Sequence, residues 1–91
     1  MTIAYLCGGM TTGDVLLKVC LVFDILNQKF KIFGQLNEAR YNAGVVTCNK
    51  YLWVFGGSSD GYDTIDSIER VSVDTGGVFE CVTIQNQYLL E

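Results

Sequence analysis

At 91 residues the chain is a single domain or part of one, and a chain this short buries only about two-thirds of its unfolded surface. Its composition, 49% hydrophobic and 18% charged, is too apolar for disorder. Ten acidic residues against six scattered basic ones, a net charge of −4, argue against a nucleic-acid partner, and Lys18, Asp24 and Lys29 interrupt the longest apolar stretch well short of the roughly 20 residues of a membrane span. A soluble protein with neither nucleic acid nor membrane as partner is expected.

In chain order, "IAYLC" at 3–7 reads as a strand that stops at Gly8-Gly9, and "MTTGDV" at 10–15 reads as a loop. The next segment, "DVLLKVCLVFDIL", is ambiguous. Val15, Leu16, Val19, Val22, Phe23 and Leu26 fall on one helical stripe behind an Asp14 N-cap, which suits a helix over 14–27. Its wealth of Val and Phe favours a strand, and a later counterpart, "IERVSVD", has no helical stripe. Strand is therefore the expectation, followed by another at "KFKIF".

"GVVTC" and "YLWVF" form a predicted hairpin, residues 43–48 and 51–56, turning at Asn49-Lys50. The second strand again ends in a glycine pair, Gly56-Gly57, ahead of the acidic loop "SSDGYDTID". Two more strands are predicted at 66–73 and 78–83, linked through "TGG", where glycine supplies positive φ. No proline demotes any of them. Residues 85–91, with Tyr88, Leu89 and Leu90, could begin one strand more.

These elements repeat. Laying residues 3–34 over 51–80 matches "IAYLCGG" with "YLWVFGG", "VCLVFD" with "IERVSVD" and "KFKIF" with "GVFECV", at spacings of 48 to 50 residues. Together with "L-x-x-A-R" at 36–40, containing Ala39 and Arg40, and with Glu69 twelve residues after the second glycine pair, the pattern resembles kelch repeats. Each such unit of about 50 residues builds one four-stranded blade of a β-propeller. The family's third strand carries an acidic residue beside an aromatic, with a second aromatic about seven residues on. The first copy fits with Phe23-Asp24 and Phe30; the second departs, with Val71 or Val73 in place of tyrosine and Phe79 one residue off.

The resemblance implies an all-β fold of about two kelch-type blades in a permuted frame. Residues 1–35 would supply strands b, c and d of a first blade, residues 36–84 a complete second blade, and residues 85–91 the first strand of a next or closing blade. The remaining blades would come from a longer chain or from other copies. Gly8, Gly9, Gly56 and Gly57 would mark the ends of equivalent second strands, where crowding leaves no room for a Cβ. Arg40 and Glu69 would be structural, paired within the blade, and Trp53 would pack between blades.

The family implies a protein-interaction scaffold, in roles such as ubiquitin-ligase adaptor or cytoskeleton-associated protein. Its b–c loops gather on one face of the disc and commonly contact the partner. That makes Asp60, Gly61, Tyr62 and Asp63, with Thr11, Thr12 and Asp14, the candidate partner-binding residues, and exposed Tyr62 the anchor. The alternative is a small sugar-binding propeller assembled from several two-blade chains.

No catalytic residue, cofactor or metal ligand is expected. The chain has no histidine, which removes the commonest general base and most zinc sites. Asp60, Asp63 and Asp66 stand three apart rather than at the alternate positions a calcium loop requires. The glycine pairs lack the G-K-[ST] ending of a phosphate loop. Cys7, Cys20, Cys48 and Cys81 show no C-x-x-C spacing and each lies in an apolar run, so they are expected to be buried free thiols in a reducing, cytoplasmic setting. No secretory signal follows Met1.

Overall fold

A computed structural model describes residues 2–82. It is all-β, with eight strands: β1 Ile3–Cys7, β2 Val19–Asp24, β3 Lys29–Gln35, β4 Gly44–Cys48, β5 Tyr51–Phe55, β6 Ile68–Ser72, β7 Gly77–Val78 and β8 Glu80–Val82. They form two four-stranded sheets, ordered β1-β2-β3-β7 and β4-β5-β6-β8. The ambiguous segment is a strand. Asp14, the would-be helix cap, sits at φ 62 inside a loop instead.

Local chemistry sets the turns. Asn49 and Lys50 both take positive φ, 53 and 69, as a two-residue turn matched to the twist of paired strands requires. Between β2 and β3 the Asp24 carboxylate accepts from the Leu26 and Asn27 amides at 3.1 and 3.2 Å and from the Asn27 side chain at 2.7 Å, closing an Asx-type turn. Those donors, the Asn27 side chain foremost, hold the Asp24 carboxyl below its ordinary range.

Cross-strand register makes the two sheets equivalent rung by rung. Cys7 pairs with Cys20 and Cys20 with Gly34, as Phe55 pairs with Ile68 and Ile68 with Val82. One rung down, Leu6, Leu21 and Ile32 correspond to Val54, Glu69 and Cys81. A register shift in β2–β3 between Cys20 and Leu21 leaves Phe33 as an extra residue in the first copy.

The last strand of the second copy differs from the expected continuous run over 78–83. Gly77 and Val78 pair in parallel with Gly34 and Gln35 of the first sheet, and the Phe79 amide donates to Gln35 O at 3.2 Å. Only then does the chain cross to β6, as β8. The reason is Phe79, which is 2% exposed: its ring is buried in the core where the chain passes between the sheets. Thr83 and the suggested further strand at 85–91 lie outside the described residues.

The core is the space between the sheets. Cys20, Leu36, Leu52, Val54, Val71 and Phe79 fill it, with Tyr5, Cys7, Phe33, Ala43 and Val73 packed against them. Alternation does this: Leu52 and Val54 on β5 and Val71 on β6 share one face of the second sheet, which is turned toward the first. The shortest dimension, 20 Å, is that of two sheets stacked about 10 Å apart with their outer side chains.

The expectation of four buried cysteines needs correction. All four are free, but only Cys20 is buried; Cys7 is half-buried, while Cys48 and Cys81 are exposed. Cys48 ends an edge strand and Cys81 lies on the other edge strand of the sheet, so neither is covered by a neighbour on its open side. Cys7 and Cys20 are cross-strand partners, and the neighbouring Cys7 thiol, with burial second, pushes the Cys20 thiol well up.

Candidate functional site

Two long loops leave the C-terminal ends of the equivalent strands β1 and β5, spanning residues 8–18 and 56–67. They are the b–c loops of the two sheets, and consecutive residues of the connector between the sheets hold them both. The Gly9 amide donates to Arg40 O at 2.8 Å, while Tyr41 exchanges two backbone hydrogen bonds with Ser58, each 3.0 Å. Both loops therefore emerge on the same edge of the molecule.

The glycine pairs make this stitching possible, with a division of labour that the bare pairs do not reveal. All four glycines have positive φ, but crowding falls on one member of each pair. A Cβ on Gly8 would lie 2.3 Å from Arg40 O, and one on Gly57 would lie 2.6 Å from Tyr41 O. Around Gly9 and Gly56 such an atom would meet nothing within 4 Å, so crowding is not what calls for glycine there.

Within the first loop, Thr11 Oγ1 accepts from the Gly13 and Val15 amides at 3.3 and 3.2 Å, and the Asp14 amide donates to Thr11 O at 3.0 Å. Thr11, Thr12 and Asp14 are all exposed. Within the second, Ser58 Oγ accepts from the Gly61 amide at 2.8 Å, and Asp60 Oδ1 accepts from the Tyr62 and Asp63 amides at 2.8 and 2.9 Å. These donors, the Asp63 amide first and the Tyr62 amide next, hold the Asp60 carboxyl below the ordinary value of 3.8. Asp60 thus organises the loop, with Gly61 at φ 85 beside it, and Asp63 and Tyr62 are left facing solvent. Tyr62 is 93% exposed; Ile65, buried at the loop's far end, anchors the segment to the protein.

Beneath the loops lies a buried ion pair. Arg40 and Glu69 are both 0% exposed and 2.7 Å apart. The guanidinium also donates from Nη1 to Gly56 O and Ser67 O, and from Nη2 to Ser67 Oγ, each at 3.0 Å. Nε has no partner among the described residues. The carboxylate accepts from the Asn37 amide at 2.6 Å and the Glu38 amide at 3.2 Å. Two buried charges are tolerable only with this degree of pairing and hydrogen bonding. The pair clamps the connector onto the base of the second loop, through Gly56 and Ser67.

Sequence reasoning missed the residues that complete the clamp. Asn37 Nδ2 donates to Phe79 O at 2.6 Å, and Ser67 serves Arg40 by both its carbonyl and its hydroxyl. Neither Asn37 nor Ser67 belongs to a periodic pattern, so only the three-dimensional contact marks them. The aromatic pair of the first copy does meet: the Phe23 and Phe30 rings lie 4.5 Å apart. Trp53 stands on the outer face of the second sheet, where its Nε1 donates to Cys48 O at 3.3 Å. Arg70 lies over the Tyr51 and Trp53 rings, 4.3 and 5.3 Å from their centroids, and pairs with Glu80.

No curated protein matches the chain. Residues 39–76, however, match the Kelch motif, a span that runs from Ala39 of the connector through the hairpin, the second loop and β6. Kelch motifs belong to a protein-interaction repeat family. Residues 39–76 are therefore similar to a kelch repeat, and the four-stranded antiparallel sheet β4-β5-β6-β8 fits a propeller blade.

Proposed function

We propose that the chain is a non-catalytic scaffold that binds a protein partner through its two b–c loops. The observation that carries this reading is Tyr62, 93% exposed at the tip of a loop whose backbone Asp60 and Ser58 already hold in place. An ordered loop loses little conformational entropy on binding, and an aromatic with a polar end suits an interface anchor. Thr11, Thr12 and Asp14 extend the surface from the neighbouring loop, which is tied to the same connector. With Asp14 and Asp63 on it, this surface favours a partner that is basic or rich in hydrogen-bond donors. A reducing, cytoplasmic setting belongs to the same proposal, supported by four free cysteines. Adaptor roles in ubiquitin ligation or at the cytoskeleton are the specific forms of scaffold to test first.

The test is affinity capture from the source cell with quantitative mass spectrometry, comparing the wild type with Tyr62→Ala. A partner retained by the wild type and reduced at least about tenfold by the substitution, with the circular dichroism spectrum unchanged, is the expected result. Equal capture by wild type, Tyr62→Ala and the double substitution Thr12→Ala, Asp63→Ala refutes the assignment.

A further inference from the structure

Cys7 and Cys20 face each other across β1 and β2, and among the described residues they are the one pair of cysteines that are register partners. Two backbone bonds fix the kind of rung they occupy. The Gly8 amide donates to Val19 O at 3.0 Å and the Ile25 amide to Thr2 O at 3.1 Å, so the hydrogen-bonded rungs of this antiparallel pair fall at Gly8–Val19 and at every second rung from there. Cys7–Cys20 is therefore a non-hydrogen-bonded rung, where Cα atoms stand about 4.5 Å apart and side chains approach most closely. That separation lies inside the range of about 4.4 to 6.8 Å that a disulfide spans.

The surroundings single this rung out. On its other side Cys20 is opposite Gly34, which has no side chain, whereas the equivalent rung of the second sheet holds Phe55, Ile68 and Val82. The dithiol thus belongs to the first copy and is not a feature of the repeat. Cys48 and Cys81 offer no second pair. They lie on the two outer strands of one four-stranded sheet, three strand spacings or about 14 Å apart, well beyond the reach of a disulfide.

The two thiols differ in ways that give them separate parts in an exchange reaction. Cys20 is 0% exposed, and the Cys7 thiol and burial together push its own thiol up. Cys7 is half-buried at the end of β1, and the Cys20 thiol beside it holds its thiol below the ordinary value, against the opposing effect of burial. A thiol that reaches solvent and ionises more readily, next to one that does neither, is the arrangement of an attacking and a resolving cysteine.

We propose that Cys7 and Cys20 form a reversible disulfide by exchange with a low-molecular-weight disulfide such as glutathione disulfide, and that this bond locks the neck of the first b–c loop, residues 8–18. The Cys7 thiolate attacks one sulfur of glutathione disulfide; a Cys7–glutathione bond forms, the original S–S bond breaks, and one glutathione leaves as its thiolate. Cys20 then gives up its proton and attacks the Cys7 sulfur, forming the Cys7–Cys20 bond and expelling the second glutathione. The two protons of the cysteine thiols end on the two glutathiones, and the two electrons reduce the glutathione disulfide. A reducing thiol pool reverses both steps, as suits a sensing disulfide rather than a structural one. The neck is otherwise closed by two backbone bonds, Gly8 amide to Val19 O and Leu17 amide to Gly9 O at 2.9 Å, and the covalent link reinforces them. This chemistry stands whether or not the loop contacts a partner.

The test incubates the folded 91-residue chain in glutathione buffers of stepped thiol-to-disulfide ratio, quenches with an alkylating agent and maps the tryptic peptides by mass; cleavage after Lys18 separates the two cysteines. A linked Cys7–Cys20 peptide should appear as the ratio falls and vanish on return to reduced glutathione. Its equilibrium constant should exceed that of the chain unfolded in urea by about tenfold or more, because the fold holds the two thiols together. On oxidation, hydrogen exchange of the Gly8 and Leu17 amides should slow by about tenfold or more. The link should persist in the double variant Cys48→Ser, Cys81→Ser, while Cys20→Ala should retain glutathione on Cys7. Absence of the linked peptide from the folded wild type at every ratio overturns the proposal, as does a link no more favourable than in urea. Unchanged exchange at Gly8 and Leu17 overturns the locking of the loop. These readouts are taken on the wild type, so they stand even where Cys20→Ala fails to fold.

Discussion

The carboxylate of Glu69 accepts hydrogen bonds from the Asn37 and Glu38 amides and from Arg40, and so joins three residues of the connector to the middle of β6. Removing its cation leaves a buried charge with only amide donors. Arg40→Ala is therefore expected to lower the free energy of unfolding by about 3 to 5 kcal/mol in urea denaturation, a large part of a small domain's total. A loss below about 1 kcal/mol would mean that water reaches the pair. At this scale Arg40 and Glu69 could be read from the sequence, because both are charges inside a repeat pattern dominated by apolar strands. Asn37 and Ser67 could not: their roles depend on groups more than 25 residues away, the Phe79 carbonyl for one and the Arg40 side chain for the other. Cys48 and Cys81 mislead for a related reason. An apolar run says that one face of a strand is buried, but which face a cysteine shares depends on register and on whether the strand is an edge.

The elements themselves were legible. Period-two patterns, glycine pairs and the Asn49-Lys50 turn locate six of the strand segments, and the repeat settles β2, whose apolar spacing also fits a helix. What stayed hidden was β7, where the chain pairs with the preceding blade before joining its own; two residues of parallel pairing have no pattern to detect. In sequence the two glycines of each pair look equivalent, whereas the contacts assign crowding to Gly8 in one loop and Gly57 in the other. Gly8→Ala should thus cost about 2 kcal/mol or more, since the new methyl adds a clash with Arg40 O to the strain of positive φ, while Gly9→Ala bears only the conformational strain. Thermal melts of the two variants side by side check this: Gly8→Ala should melt the lower, and the reverse order would place the interblade contact elsewhere.

At the scale of the whole molecule, the two blades and the connector form one packed unit that presents both b–c loops on a single edge. Packing across the junction, together with the Gly9–Arg40 and Phe79–Gln35 backbone bonds, is what holds the loops in common register. The approximate repeat made this architecture readable from sequence; the partner surface was readable only as far as the family resemblance named the loops. Native-state amide hydrogen exchange, resolved by residue, tests the unit most directly. The account predicts that the Gly9 and Phe79 amides, each bonded across the junction, open with the same free energy as the central strands β2 and β5 of the two blades. Exchange of Gly9 and Phe79 at loop-like rates, with β2 and β5 opening independently of each other, would contradict it.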